Sequence, residues 1–286
     1  MANLEVSRAQ RLDQKVVELF PQLSRAYAAK LIETKRVSVN GAAQVKPGYK
    51  LRADDVVVVD YDPTTEAEIP EIELKVIYED DDCVVIHKPV GLLTHSKGAF
   101  NPEPTVATWL RTRLQGMEGG RAGIVHRLDR ATSGVMICAK TPEALSWLQK
   151  QFAQRKVKKA YTAVVRGVMK PEAAVIDMPI ERNPKAPATF RVGAQGKSAT
   201  TTYQTLMSSE LYSLLALQPK TGRTHQLRVH LAHQGHPIVG DTIYGGEIAE
   251  RLFLHATELE VTIPRNHERK VFRVAVPAEF AEKARP

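Results

Sequence analysis

The run Gly123-Ile124-Val125-His126-Arg127-Leu128-Asp129-Arg130-Ala131-Thr132-Ser133-Gly134 stands just before an apolar stretch, residues 135–139, that reads as a buried strand. An acid sits between two arginines and is followed by Thr-Ser-Gly. Opposite charge nearby favours the ionised form of a carboxylate. An ionised, fixed carboxylate can serve as a nucleophile or a general base. The same arrangement also suits a structural ion pair in a turn ahead of a strand, and the residues of this run leave both readings open.

Outward from this run, strand-type segments recur at 83–87, 161–165, 213–217 and 271–276, with helices between them. Thr141-Pro142 supplies a cap followed by proline at the first helical position. Ala144, Leu145, Leu148 and Phe152 then share the spacing of one buried helical face. A second helix is expected from near Thr224 to Gly235, with Leu227 and Leu231 inward. Strict strand–helix–strand alternation is absent and several connections are of hairpin length. The expectation is an α+β domain with a mixed, mainly antiparallel sheet and flanking helices.

The amino-terminal part reads as a separate unit. Leu12, Val16 and Leu19 follow helical spacing, Pro21 ends that helix, and Ser24 can cap a second one carrying Ala28, Leu31 and Ile32. Val37-Ser38-Val39 alternates like a strand, Asn40-Gly41 supplies a tight hairpin turn, and residues 56–59 form a closing strand. The expected order is helix, helix, small antiparallel sheet. An acidic, proline-containing stretch follows. It divides the chain into a unit at 8–61, a linker at 62–73 and a larger unit at 74–286.

The chain has 286 residues, 43% of them hydrophobic and 25% charged, which excludes a mostly disordered or fibrous protein. No apolar run is long enough to span a bilayer and the amino end lacks a signal-peptide pattern, so a cytoplasmic protein without membrane partners is expected. Cys83 and Cys138 are too few for a disulfide framework or a four-thiolate zinc site. Residues 83–286 hold 29 basic and 16 acidic side chains, a charge of +13 that attracts polyanions, nucleic acid first among them. In the small unit Arg25, Lys30 and Arg36 form a basic surface suited to phosphates. In the large unit Arg155, Lys156, Lys158 and Lys159 crowd together. The phosphate-loop pattern fails because Arg191 stands where its first glycine belongs, and no dinucleotide or serine-hydrolase motif is present. His225, His230, His233 and His236 lack zincin spacing, so no metal is expected.

Taken whole, GIVHRLDRATSG resembles the catalytic signature of the RluA-type pseudouridine synthases. Further segments match in the same order: Ile86-His87-Lys88-Pro89-Val90-Gly91, Lys159-Ala-Tyr161, Thr221-Gly-Arg223-Thr-His-Gln-Leu-Arg-Val-His-Leu, Gly240-Asp241-Thr-Ile-Tyr244 and Leu254-His255-Ala256. Residues 11–61 resemble the RNA-binding domain first named for small-subunit ribosomal protein four. The resemblance spans about residues 8–280.

It implies an isomerase that detaches uracil from ribose, turns it and rejoins it through ring carbon five, with no cofactor. Asp129 is implied as the essential aspartate and Arg223 as the arginine that pairs with it. Tyr161 is implied as the pocket tyrosine on the target base, and Leu254 as an apolar wall. Arg127 is implied as the residue entering the stack that the flipped base leaves, with His126 beside it on the substrate side. Lys158 and Lys159, with Arg25, Lys30 and Arg36 of the small unit, would follow the RNA backbone. The implied substrate is large-subunit ribosomal RNA or an assembling ribosomal subunit, acted on by a monomer. A transfer RNA substrate, and a catalytically silent RNA-binding or ribosome-assembly factor, are the alternatives.

Overall fold

A computed structural model describes residues 2–5, 9–21, 23, 25–61, 69–96, 103–119 and 121–285. Ser24 and most of the acidic linker lie outside the described residues. The chain divides into two compact units, Met1–Ile72 with His95–Thr108 and Glu73–Thr94 with Trp109–Pro286.

In the first unit the helices Leu12–Leu19 and Arg25–Glu33 bury Leu12, Val16, Ala28, Leu31 and Ile32 against Val37, Val39, Val57 and Val59. The strands alternate buried and half-buried residues, the pattern of a sheet with one face on the core. Val37–Val39 turns at Asn40 and Gly41, both with positive φ (52° and 81°), and pairs with Ala42–Ala43. The Asn40 side chain ties the turn to the next strand, accepting from the Val56 N–H and donating to Asp55. The sheet also takes a strand from Ala2–Glu5, antiparallel to Val56–Val59, so it does not simply follow two helices.

The second unit is built on one large sheet with helices around it, an α+β domain with a mainly antiparallel sheet. Its strands run in the order Ala173–Asp177, Thr200–Ser208, Tyr212–Pro219, Lys158–Arg166, Leu254–Thr262, Ser133–Ala139, Cys83–Lys88, Lys75–Glu79. Arg269–Arg273 pairs with the distal part of Leu254–Thr262. All these pairings are antiparallel except that between Ser133–Ala139 and Leu254–Thr262. Ser133–Ala139 is buried at every residue, as the apolar run at 135–139 requires. Helix Pro142–Ala153 starts at its cap: the Thr141 hydroxyl accepts from the Ala144 N–H at 3.2 Å. Its inward face is Ala144, Leu148 and Gln151 rather than the fully apolar face expected, because the Gln151 amide both donates to the Thr262 carbonyl and accepts from its N–H. Among the described residues no helix is long and apolar enough to cross a membrane.

The parallel junction organises the site. Tyr161, Ala256 and Gly134 lie in one row across three strands. Gly134 has φ +124°, and a Cβ there would overlap the Ala256 backbone. At the other end of the motif Gly123 has φ +74°, and its Cβ would overlap the Ala139 carbonyl. Both glycines that bracket the sequence run are thus demanded by close backbone approach.

Candidate active site

Asp129 sits on the loop entering strand Ser133–Ala139, its side chain 19% exposed. The Thr132 N–H donates to the Asp129 carbonyl at 3.1 Å, and the Thr94 hydroxyl donates to the Leu128 carbonyl at 2.8 Å. Lys88 fixes the loop from beneath. Its fully buried ammonium donates to the carbonyls of Pro89 (2.9 Å), Leu92 (2.8 Å) and Arg130 (3.3 Å). Burial lowers its pKa to about 7, and the Asp129 charge opposes that shift.

Asp129 lines a cavity of ≈ 130 Å³ together with Arg127, Tyr161, His225, Arg228 and Leu254. Tyr161 reaches it from strand Lys158–Arg166, and Leu254 is the first residue of its strand. Burial, and then the charge of Asp129, push the Tyr161 phenol well above its usual range, so the hydroxyl stays protonated near neutrality and is available as a donor. Arg127 is exposed and also lines a larger neighbouring cavity of ≈ 400 Å³.

The partner of Asp129 is not the expected one. Arg223 also lines the ≈ 130 Å³ cavity, but its Nε donates to the Ser198 carbonyl at 3.0 Å rather than to Asp129. Arg228 approaches instead, with Nη1 3.5 Å from Asp129 Oδ2, and His225 Nε2 lies 3.8 Å from the same oxygen. Both distances are those of an ion pair or near contact, longer than a hydrogen bond. Arg228 is held by Asp241, whose carboxylate accepts from Nε and Nη2 at 2.7 Å each. The side chain of Asp241 is fully buried and that of Arg228 nearly so. The cause of the change of partner is local. Gln226 is buried, accepts from the Thr221 hydroxyl (2.7 Å) and the Arg223 N–H (3.0 Å), and donates to the Thr200 carbonyl (3.0 Å). This locks the 221–226 turn. The helix that follows, Gln226–His233, then points Arg228 inward.

The other expected contacts divide. The His126 ring lines the larger cavity, but its Nε2 accepts from the Ile137 N–H at 3.1 Å and the ring stacks on Phe152. Burial lowers its pKa to about 3, so it is a neutral imidazole fixed to the strand. Lys159 is not on the surface with Lys158. Its ammonium donates to the Thr221 carbonyl at 3.1 Å between the two cavities, and burial lowers its pKa to about 8. Lys158 is exposed and pairs with Glu260 at 3.2 Å. In the first unit Arg25 pairs with Asp13 (2.8 Å) and Arg36 with Asp60 (3.2 Å), while Lys30 is exposed on the second helix. The later histidines go separate ways: His230 contacts Thr201 and the Met178 carbonyl, and His236 the Arg166 carbonyl.

Lys88, Gln226, Arg228 and Asp241 were not singled out from sequence, and His225 was weighed only as a metal ligand. Each lies within a matched segment, where a buried-charge role leaves no periodic signature.

Residues 82–233 match the family described as RNA pseudouridylate synthase, and residues 10–57 match the S4 domain. The chain is 38% identical to ribosomal large subunit pseudouridine synthase D of Yersinia pestis, over 97% of this chain and 91% of the relative. It is 36% identical to the same-named protein of Pasteurella multocida, over 98% and 92%. Among solved structures, human RNA pseudouridylate synthase domain containing 4 aligns at a TM-score of 0.58 and 28% identity, over 72% of this chain and 90% of that one. Human RNA pseudouridylate synthase domain containing 1 aligns at 0.58 and 30%.

Proposed function

The chain belongs to the RNA pseudouridylate synthase family, and we propose that it isomerises uridines of large-subunit ribosomal RNA, with Asp129 as the essential carboxylate. The single observation that carries the assignment to Asp129 is its setting. Among the described residues it is the one carboxylate that shares the ≈ 130 Å³ cavity with Tyr161, Leu254 and the buried Arg228.

The reaction breaks the bond from the ribose anomeric carbon to a ring nitrogen and forms one to ring carbon five, and it is redox-neutral. Asp129 supplies the carboxylate, as nucleophile or as base. Arg228 and His225 both approach Oδ2, so Oδ1 is the oxygen we assign to the substrate. Tyr161 presents a ring face for the base and a protonated hydroxyl that can donate. Leu254 closes the wall and helps exclude water. A uridine stacked in folded RNA enters only after flipping, which costs a few kcal/mol. Arg127 occupies the stack it leaves, a role supported by its exposure at the cavity and by a planar guanidinium that can stack and pair with phosphate.

The proposed organisation is an RNA-gripping unit at 8–61, a linker at 62–73 and a catalytic unit at 74–286, working as a monomer in the cytoplasm. Arg25, Lys30, Arg36 and Lys158 hold the RNA backbone. Lys159 shapes the floor between the two cavities, and Arg223 and His126 line the path beside the target base.

The test is pseudouridine mapping of total RNA from cells lacking the protein, then complemented with wild type or Asp129→Asn. Loss at large-subunit rRNA positions, restored only by wild type, is expected. Loss confined to transfer RNA overturns the substrate. No change at any position favours a silent RNA-binding factor.

A further inference from the structure

His225 is the least ordinary residue of the site. Its backbone is left-handed (φ 55°, ψ 20°), a conformation that is strained for a non-glycine residue and that clusters at functional sites. Its side chain makes no capping bond to the helix it precedes. The ring instead lies edge-on to Tyr244 and Phe190, with Nδ1 2.7 Å from the Tyr244 hydroxyl.

Tyr244 Oη accepts from the Phe190 N–H at 3.0 Å and lies 2.7 Å from His225 Nδ1, a pair in which either atom can donate. The carboxylate 3.8 Å from Nε2 favours the ring proton on that nitrogen, with the Tyr244 hydroxyl then donating to Nδ1. The charged and titratable groups facing the ring are Asp129, Arg228, Asp241, Arg127 and Tyr244. Burial lowers the pKa of His225 below its usual value, so near neutrality the ring is a neutral donor. Arg228 already supplies the compensating charge. What a second, neutral donor on the same oxygen adds is direction.

We propose that His225 is a positioning residue for catalysis: held by the Tyr244 hydroxyl, its Nε2–H orients Oδ2 of Asp129 and leaves Oδ1 to the substrate. The proposal rests on Asp129 being the essential carboxylate. The near contact closes to a hydrogen bond when substrate fills the cavity, as such contacts commonly do on complex formation.

The experiment uses the full-length protein and an rRNA fragment containing the mapped uridine, with kcat, KM and melting temperature for wild type, Asp129→Asn, His225→Asn, His225→Gln and Tyr244→Phe. Asparagine accepts the left-handed backbone but cannot reach Asp129, whereas glutamine returns an amide N–H near the Nε2 position. His225→Asn is expected to lower kcat about tenfold or more with KM within about twofold. His225→Gln is expected to recover part of the loss, and Tyr244→Phe to lower kcat with folding preserved. A His225→Asn enzyme with wild-type kcat, or with a raised KM and unchanged kcat, overturns the proposal. So does a glutamine variant no better than asparagine. If His225→Asn does not fold, Tyr244→Phe decides alone, since it keeps both rings. A wild type that forms no pseudouridine, or an active Asp129→Asn, sinks the underlying reading instead. An inactive Asp129→Asn beside an unimpaired His225→Asn sinks only this one.

Discussion

Arg228 grips Asp241 with two nitrogens, each at 2.7 Å, and extends the third to Asp129 at 3.5 Å. One guanidinium thus serves two carboxylates, one sealed in the fold and one facing the cavity. Lysine cannot do this, because an ammonium is a point charge without the planar fork. Arg228→Lys is expected to lower kcat at least about 100-fold, since it loosens the reacting carboxylate, and to lower the melting temperature, since a buried pair left imperfect costs several kcal/mol. RNA affinity should hold within about twofold. Single-turnover kinetics and filter binding check both, and a variant that loses affinity but keeps its rate would place Arg228 on the RNA instead.

Tyr161 combines a ring face with a hydroxyl, and the two can be separated. Tyr161→Phe keeps the face and is expected to leave RNA binding unchanged while lowering kcat by about 10² to 10⁴, the usual range for a lost proton donor. Tyr161→Leu should weaken binding as well. Because burial pushes the phenol upward, its ionisation contributes no fall in activity up to about pH 10. If Tyr161→Phe turns over like wild type, the hydroxyl has no chemical part and the residue is a platform only.

Lys88 gives a stability prediction with a definite sign. Its folded pKa, about 7, lies below the ordinary lysine value of 10.5, so between these limits the unfolded chain binds more protons than the folded one. Its contribution to stability therefore rises with pH across that window, by at most about 1.4 kcal/mol per pH unit. Lys88→Met removes this rise and strips the donors from the Pro89, Leu92 and Arg130 carbonyls. The variant should be less stable than wild type, by a margin larger at about pH 9 than at about pH 7. Urea denaturation at the two pH values measures the difference, and a constant margin would mean the buried amine does not titrate in that range.

The parts of this protein legible in its sequence are those set by local chemistry. Thr141-Pro142 starts its helix at that point because capping and a fixed φ act within one turn. Asn40-Gly41 makes its hairpin because both residues tolerate positive φ. The strand Ser133–Ala139 is plain because residues 135–139 form an unbroken apolar run. Long-range pairings are another matter. Nothing local ties Ala2–Glu5 to Val56–Val59, or makes strand Leu254–Thr262 run parallel to Ser133–Ala139. The identity of the partner of Asp129 depends on how Gln226 closes the 221–226 turn, so the family resemblance implies Arg223, while the fold presents Arg228 five positions later. Lys159 reads as one of a basic cluster, yet its strand carries it inward to Thr221. Charge in a sequence shows what a surface can bind, and burial decides which charges remain on it.

Arg223, freed from Asp129, lines the larger cavity and is expected to act on affinity rather than rate. The excess of basic over acidic residues across 83–286 makes phosphate contact the main source of binding, through release of counterions. Affinity for an rRNA fragment should therefore fall at least about tenfold between roughly 50 and 200 mM salt. Arg223→Ala should weaken binding two- to tenfold, raise KM, leave kcat within about twofold, and reduce the slope of log affinity against log salt by about one. A titration of wild type and variant over four salt concentrations reads all of this. If the slope is unchanged and kcat collapses instead, Arg223 acts at the reacting centre after all, and the substrate-bound turn must differ from the one that now points its guanidinium at Ser198.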